Sequence, residues 1–152
     1  MKAQDTIGYQ VKSTWQAIVK MYNRLTIEHD FSQAEGYVLI SIKRGGIPVT
    51  KIAPLMGIEP TSLSRLLKTM EDKGLIYREK DENDRRVVKL FLTKKGLELK
   101  KISKKMVVDY NQSIYEEIGH DNMEKFLETM NKIRKSTCLK ELPEDTNYHK
   151  NC

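Results

Sequence analysis

Arg65 lies in the run Thr61-Ser62-Leu63-Ser64-Arg65-Leu66-Leu67-Lys68-Thr69-Met70. At helical spacing Leu63, Leu66, Leu67 and Met70 share one face, and Thr61, Ser62, Arg65 and Lys68 or Thr69 share the other. Small hydroxyls let a helix lie deep against a partner, and an arginine forks to a guanine edge or a phosphate. That is the chemistry of a helix set into the major groove of DNA. A second group stands in the polar run Asp81-Glu82-Asn83-Asp84-Arg85-Arg86. A narrow minor groove concentrates negative potential and favours an inserted arginine. An aspartate two residues earlier pre-orients that arginine, so less side-chain entropy is lost on binding. Each group also has a plainer reading, since every amphipathic helix has a polar face and most charged turns are simply solvated.

Charge distribution separates the readings. The 152-residue chain holds 27 Lys+Arg against 21 Asp+Glu, a net +6. Residues 43–104 carry 16 basic and 8 acidic residues, residues 1–42 carry 4 of each, and residues 105–152 carry 7 and 9. All of the excess positive charge therefore lies in the segment that holds both groups, as a phosphate-binding surface requires. The two cysteines, Cys138 and Cys152, form no C-x-x-C and have no histidine at ligand spacing, so neither a structural zinc site nor a disulfide framework is expected. No Gly-rich phosphate loop, carboxylate pair in an apolar setting, or nucleophile with a base beside it points to an enzyme. No cofactor, metal or membrane span is expected, and the N-terminus lacks an apolar signal core, which by default implies the cytoplasm.

The elements that must position these side chains follow from periodicity. Ile7, Val11, Trp15, Ile18, Tyr22 and Leu25 form one long stripe, predicting a helix from residue 6 to about 28. Ser32 and Glu35 make an S-x-x-E capping box for a second helix, with Tyr37, Val38, Ile40 and Ile42, ending at Gly45-Gly46. From Thr50 to Gly74 two short helices meet at Gly57, the second entered through Pro60. Pro54 should bend the first of them or make it partly 3₁₀. Leu75–Lys80 and Val87–Leu92 read as a β-hairpin with a basic tip, which must pack on the helices before it to be stable. Thr93 caps a long helix to about Ile118, carrying Leu99, Ile102, Met106, Tyr110 and Ile114; Lys94-Lys95 at its start oppose the helix dipole, as a nearby phosphate would allow. A last helix, capped by Asp121 and Glu124, buries Met123, Phe126, Leu127, Met130 and Ile133, and the chain from Leu139 reads as a polar tail.

This order resembles the MarR family of winged helix-turn-helix transcriptional regulators. The resemblance rests on Ser64-Arg65-Leu66-Leu67, on the run from Met70 through Lys73-Gly74-Leu75-Ile76 to Arg78, and on Asp84-Arg85-Arg86 followed by Leu90-Phe91-Leu92-Thr93-Lys94-Lys95-Gly96. It covers about residues 6–138, its motifs being loose singly and specific in order and spacing. Glu59 departs from the pattern, standing where a Ser or Thr N-cap is usual, and this weakens Pro60 and Thr61 as phosphate contacts.

The resemblance implies a mainly α fold with a small β-hairpin wing, a winged helix-turn-helix flanked by N- and C-terminal dimerisation helices. Residues 1–138 would be a single domain, with 6–28 and 94–138 the dimerisation helices, 32–92 the DNA-binding lobe and 139–152 a flexible tail. A homodimer would meet through Ile7, Val11, Met123, Phe126, Leu127 and Met130. Double-stranded DNA with a near-palindromic operator would be read by Thr61, Ser62, Ser64, Arg65, Lys68 and Thr69 in successive major grooves ~34 Å apart. By the D-x-R pattern Arg86, held by Asp84, would enter the minor groove, with Arg85 the near alternative. Family members often bind small aromatic or amphipathic anions between dimerisation helices and DNA-binding lobe. Trp15, Tyr22, His29 and Tyr37 are candidates to line such a pocket, although ordinary core or interface is the commoner role for such residues. Function is expected to be repression released by such a ligand. The alternatives are a winged-helix protein-interaction module and a redox-responsive regulator acting through Cys138 or Cys152.

Overall fold

Thr6 opens the first helix by accepting the Tyr9 amide at 3.3 Å. In this computed structural model, which describes residues 2–139 and their side chains as far as residue 137, that helix is α1, Ile7–Thr26. A 3₁₀ turn, Ile27–His29, and a left-handed Asp30 (φ 54°) then redirect the chain. α2, Gln33–Ser41, begins at the expected capping box: the Ser32 hydroxyl accepts the Glu35 amide at 3.2 Å, and the Glu35 carboxylate accepts the Ser32 amide at 2.6 Å.

α2 stops at Ser41, short of Gly45-Gly46, because Ile42 turns extended and is fully buried. Leu39, which the pattern passed over, is also fully buried, whereas Tyr37 is exposed. The glycine at 46 serves a different purpose from ending a helix. Its φ is +74°, and a Cβ there would fall 2.7 Å from the Phe91 ring. It leads into β1, Ile47–Pro48, a strand that two residues are too few to announce by alternation. β2, Ile76–Lys80, and β3, Val88–Leu92, complete a three-stranded antiparallel sheet of order β1-β3-β2 rather than the expected two-stranded hairpin. The register pairs Ile47 with Leu90 and runs from Ile76↔Leu92 to Lys80↔Val88.

A 3₁₀ turn, Val49–Lys51, precedes α3, Ile52–Met56. Pro54 falls in the first turn of α3, where amides have no internal acceptor, so it removes no helical bond. Gly57 (φ 61°) makes the turn and Pro60 enters α4, Pro60–Asp72. α5, Lys94–Ile118, is capped by Thr93, whose hydroxyl accepts the Gly96 amide at 3.0 Å and donates to Gly74 O at 2.7 Å. The backbone of α5 packs directly on the entry to β2: a Cβ at Gly96 would lie 2.0 Å from Leu75 O.

Two compact units result, Met1–Met106 and Val107–Cys152, divided within α5. The core of the first joins Val38, Leu39 and Ile42 to Ile52, Leu63, Leu67, Met70, Leu75, Leu90 and Leu99. In the second, Gly119 (φ 83°) separates α5 from α6, His120–Leu139. Asp121 lies within the first turn of α6 rather than capping it, since the helix already begins at His120. The apolar stripe expected to be buried is open: Phe126 is 53% and Leu127 47% exposed, with Met123, Met130 and Ile133 half-buried. Residues 140–152, and with them most of the expected tail and Cys152, lie outside the described residues, as does the Cys138 side chain. Among the described residues no helix is long and apolar enough to cross a membrane.

Candidate nucleic-acid interface

α4 sorts its side chains as its sequence dictates. Leu63, Leu67 and Met70 are buried, Leu66 is half-buried, and Thr61, Ser62, Ser64, Arg65, Lys68 and Thr69 are exposed. Two of the hydroxyls turn back on their own helix, Ser64 donating to Pro60 O at 2.9 Å and Thr69 to Arg65 O at 3.1 Å. This satisfies both groups within the helix and leaves Thr61 and Ser62 as the hydroxyls at its N-terminal end. Lys68 pairs with Asp72 at 3.6 Å across solvent, an interaction of little energy. The Arg65 guanidinium makes no hydrogen bond or ion pair with any other described residue. Glu59 occupies the N-cap without a side-chain bond, in line with its poor capping chemistry.

The wing tip is built around two aspartates. Asp81 accepts the amides of Asn83 and Asp84 at 3.0 and 3.1 Å and pairs with Lys89. The Lys89 hydrogen bond, followed by those two amides, holds the Asp81 carboxyl below the ordinary carboxylate range. Asp84 grips Arg86 at both ends of its carboxylate: Oδ1 accepts the Arg86 amide at 3.0 Å and Nε at 3.0 Å, and Oδ2 accepts a terminal nitrogen at 3.1 Å. The guanidinium and then the amide push Asp84 below its usual value, and the same pair raises Arg86 further. Arg86 is nonetheless 91% exposed at its side chain. It is therefore a fixed cation pointing into solvent, whereas Arg85 is exposed without such a clamp.

The excess charge is not concentrated on α4. On α4, Arg65 and Lys68 are matched by Glu71 and Asp72. The first eleven residues of α5 hold five lysines against Glu98 alone. Lys95 spends its charge inside the fold, donating to Lys73 O at 3.2 Å at the carbonyl end of α4, where a cation is favourable. Its position thus has a structural cause and needs no phosphate. Lys100 donates to Ile42 O; partial burial and then the neighbouring Lys104 charge lower its pKa.

The four ligand-pocket candidates lie in the first unit. Trp15 is half-exposed on α1, Tyr22 is half-buried a few turns on, and His29 sits 6.3 Å from the Phe31 ring. The Tyr37 hydroxyl donates to Leu55 O at 3.3 Å, tying α2 to α3. Two residues that shape the site went unread in the sequence. Asp81 had a local signal, an aspartate two and three residues before turn amides. Lys73 had none, because its partners Asp30 and Glu35 are 43 and 38 residues away.

Residues 31–88 match the model of the MarR family. The HTH-type transcriptional repressor MdtR of Bacillus subtilis (strain 168) is 31% identical over 101 residues, 63% of this chain and 65% of that protein. The matched stretches thus span less than two thirds of the curated relatives' lengths, 48% in two others. Among solved structures, the transcriptional repressor CouR bound to a 23-mer DNA duplex is 25% identical with a TM-score of 0.73, covering 88% of this chain and 98% of that one. The S. aureus MepR–DNA complex gives a TM-score of 0.77 at 21% identity over 86% and 98% of the two chains, a likeness of fold. The α3–α4 helix pair and the three-stranded wing make a winged-helix fold, and the stretch that carries α2 through α4 and most of the wing is the stretch similar to the MarR family.

Proposed function

We propose that this chain is a dimeric, sequence-specific DNA-binding transcriptional regulator of the cytoplasm, acting as a repressor that a small aromatic or amphipathic ligand releases. One observation carries the reading: Arg86, 91% exposed at its side chain, is held in a two-pronged grip by Asp84. An exposed arginine ordinarily loses much side-chain freedom on binding. Here most of that loss is met before a partner arrives, which suits insertion into a narrow minor groove. Arg65 and the hydroxyl end of α4 supply base and phosphate contacts in the adjacent major groove. CouR, solved on a duplex, supports the same use of the fold. A second copy of the chain would cover the open apolar faces of α1 and of α6, each of which carries large exposed side chains such as Trp15 and Phe126.

The test is fluorescence anisotropy on a duplex selected from a random pool by the wild-type protein, across a salt series. Wild type should bind with an affinity that falls steeply with salt. Arg65→Ala should lose about 1–3 kcal/mol of discrimination against a shuffled duplex, and Arg86→Ala should weaken binding. Equal, weak and salt-insensitive binding by all three would refute the reading and favour a protein-interaction module. For the ligand, phenolic and lipophilic acids that bind should raise the melting temperature by mass action, and a uniformly flat screen would count against release by such compounds.

A further inference from the structure

One polar joint in the first unit lies apart from the DNA contacts proposed above. Lys73 ends α4, its amide donating to Thr69 O at 3.0 Å. Its ammonium donates to Asp30 O at 2.9 Å and to Glu35 Oε2 at 3.2 Å, and lies 3.1 Å from Glu35 Oε1 and 3.8 Å from Asp30 Oδ1. Glu35 is only 3% exposed. The same carboxylate takes the Ser32 amide in the capping box of α2. The next residue, Gln33, donates its amide to Asn23 of α1 at 2.8 Å. From the other side, Lys95 grips the Lys73 carbonyl. The carbonyl end of α4 is thus bonded to the joint between α1 and α2, and to the start of α5.

We propose that Lys73 is a positioning residue for the recognition helix, fixing the angle at which α4 presents Arg65; this rests on the DNA-reading proposal. The physical case is directional. Apolar packing of α4 on the core sets its distance and tolerates small rotations, because dispersion contacts have no preferred direction. Hydrogen bonds from one ammonium to two fixed acceptors do have one. Arg65 stands eight residues from Lys73, ~12 Å along the helix axis. A tilt of ~10° about Lys73 displaces it by ~2 Å, beyond the range over which a base-edge hydrogen bond survives. The joint also makes α4 answerable to α1 and α2: any shift of the Asp30–Glu35 segment pulls on the end of the recognition helix.

The experiment compares wild type, Lys73→Met, Glu35→Gln and the double variant on the pool-selected duplex and on a shuffled duplex of equal composition, with melting temperatures measured alongside. The proposal predicts that Lys73→Met loses about tenfold or more of the specific-over-shuffled ratio, the worth of one well-placed base contact. Affinity for the shuffled duplex and its salt slope should remain close to wild type, since phosphate contacts need charge more than angle. Glu35→Gln, which keeps side-chain size, should lose discrimination in the same sense and serves alone if Lys73→Met does not stay folded. The double variant should be no worse than the poorer single one, because both break one joint. A lowered melting temperature with an unchanged ratio in the folded variants would overturn the proposal and leave Lys73 a structural brace. Absence of discrimination in the wild type itself would instead remove the DNA-reading proposal, and this one with it.

Discussion

Arg86 illustrates what two neighbouring residues settle between themselves. The D-x-R spacing was legible because clamp and arginine are two positions apart, and a turn suffices to bring them together. The clamp's pH dependence follows from its sign. The Asp84 carboxyl is depressed below 3.8 by the guanidinium, so the pairing is complete above that value and is lost only as pH falls through the lower folded-state value. The ratio of wild-type to Arg86→Ala affinity for DNA should therefore be constant between about pH 5 and pH 8. A loss of that ratio within the window, seen by anisotropy, would mean that Asp84 does not hold the arginine. Lys73 shows the opposite limit. Its neighbours in sequence say nothing of Asp30 and Glu35, and only the folded chain brings the three together. Gly96 was likewise visible only as part of a motif. Its cause is a backbone approach, and Gly96→Ala should destabilise the protein by about 3 kcal/mol in urea denaturation, because the added methyl would meet Leu75 O at 2.0 Å.

Elements long enough to show a period were legible, and short ones were not. α4 and α1 both repeat at helical spacing; the exposed and buried faces of α4 follow its pattern, whereas Ile7, Val11, Trp15 and Leu25 of the α1 stripe stand exposed in the single chain. β1 has two residues and no period, so the third strand of the wing emerges only from its pairing with β3. The capping box marks the start of α2, but Gly45-Gly46 does not mark its end: the helix stops at Ser41, and Gly46 lets Phe91 pass. Thr93 links two elements at once, capping α5 and bonding the turn after α4. Thr93→Val should cost about 1–2 kcal/mol with an unchanged denaturant slope, because the fold itself persists. No loss would mean that water replaces both bonds.

For the whole molecule, composition points to a polyanionic partner without saying which elements would meet it. The positive excess in residues 43–104 is real, but α4 is balanced and much of the excess lies on the first turns of α5, partly used within the fold by Lys95. DNA reading is thus proposed from placed side chains rather than from bulk charge. The apolar stripe of α6 was legible as a stripe, but a sequence cannot say whether a stripe faces its own core or a second chain. Phe126 and Leu127 stand open in the single chain. If a second copy covers them, Phe126→Glu should shift sedimentation from dimer toward monomer and weaken operator binding, since two linked half-site contacts become one. The most direct test of the DNA-reading account is a hydroxyl-radical footprint on the pool-selected duplex. The account predicts two protected regions about one helical turn apart, ~34 Å, with protection of the flanking minor groove that Arg86→Ala alone removes. A footprint without that flanking protection, or no footprint under conditions where the protein binds, would contradict it.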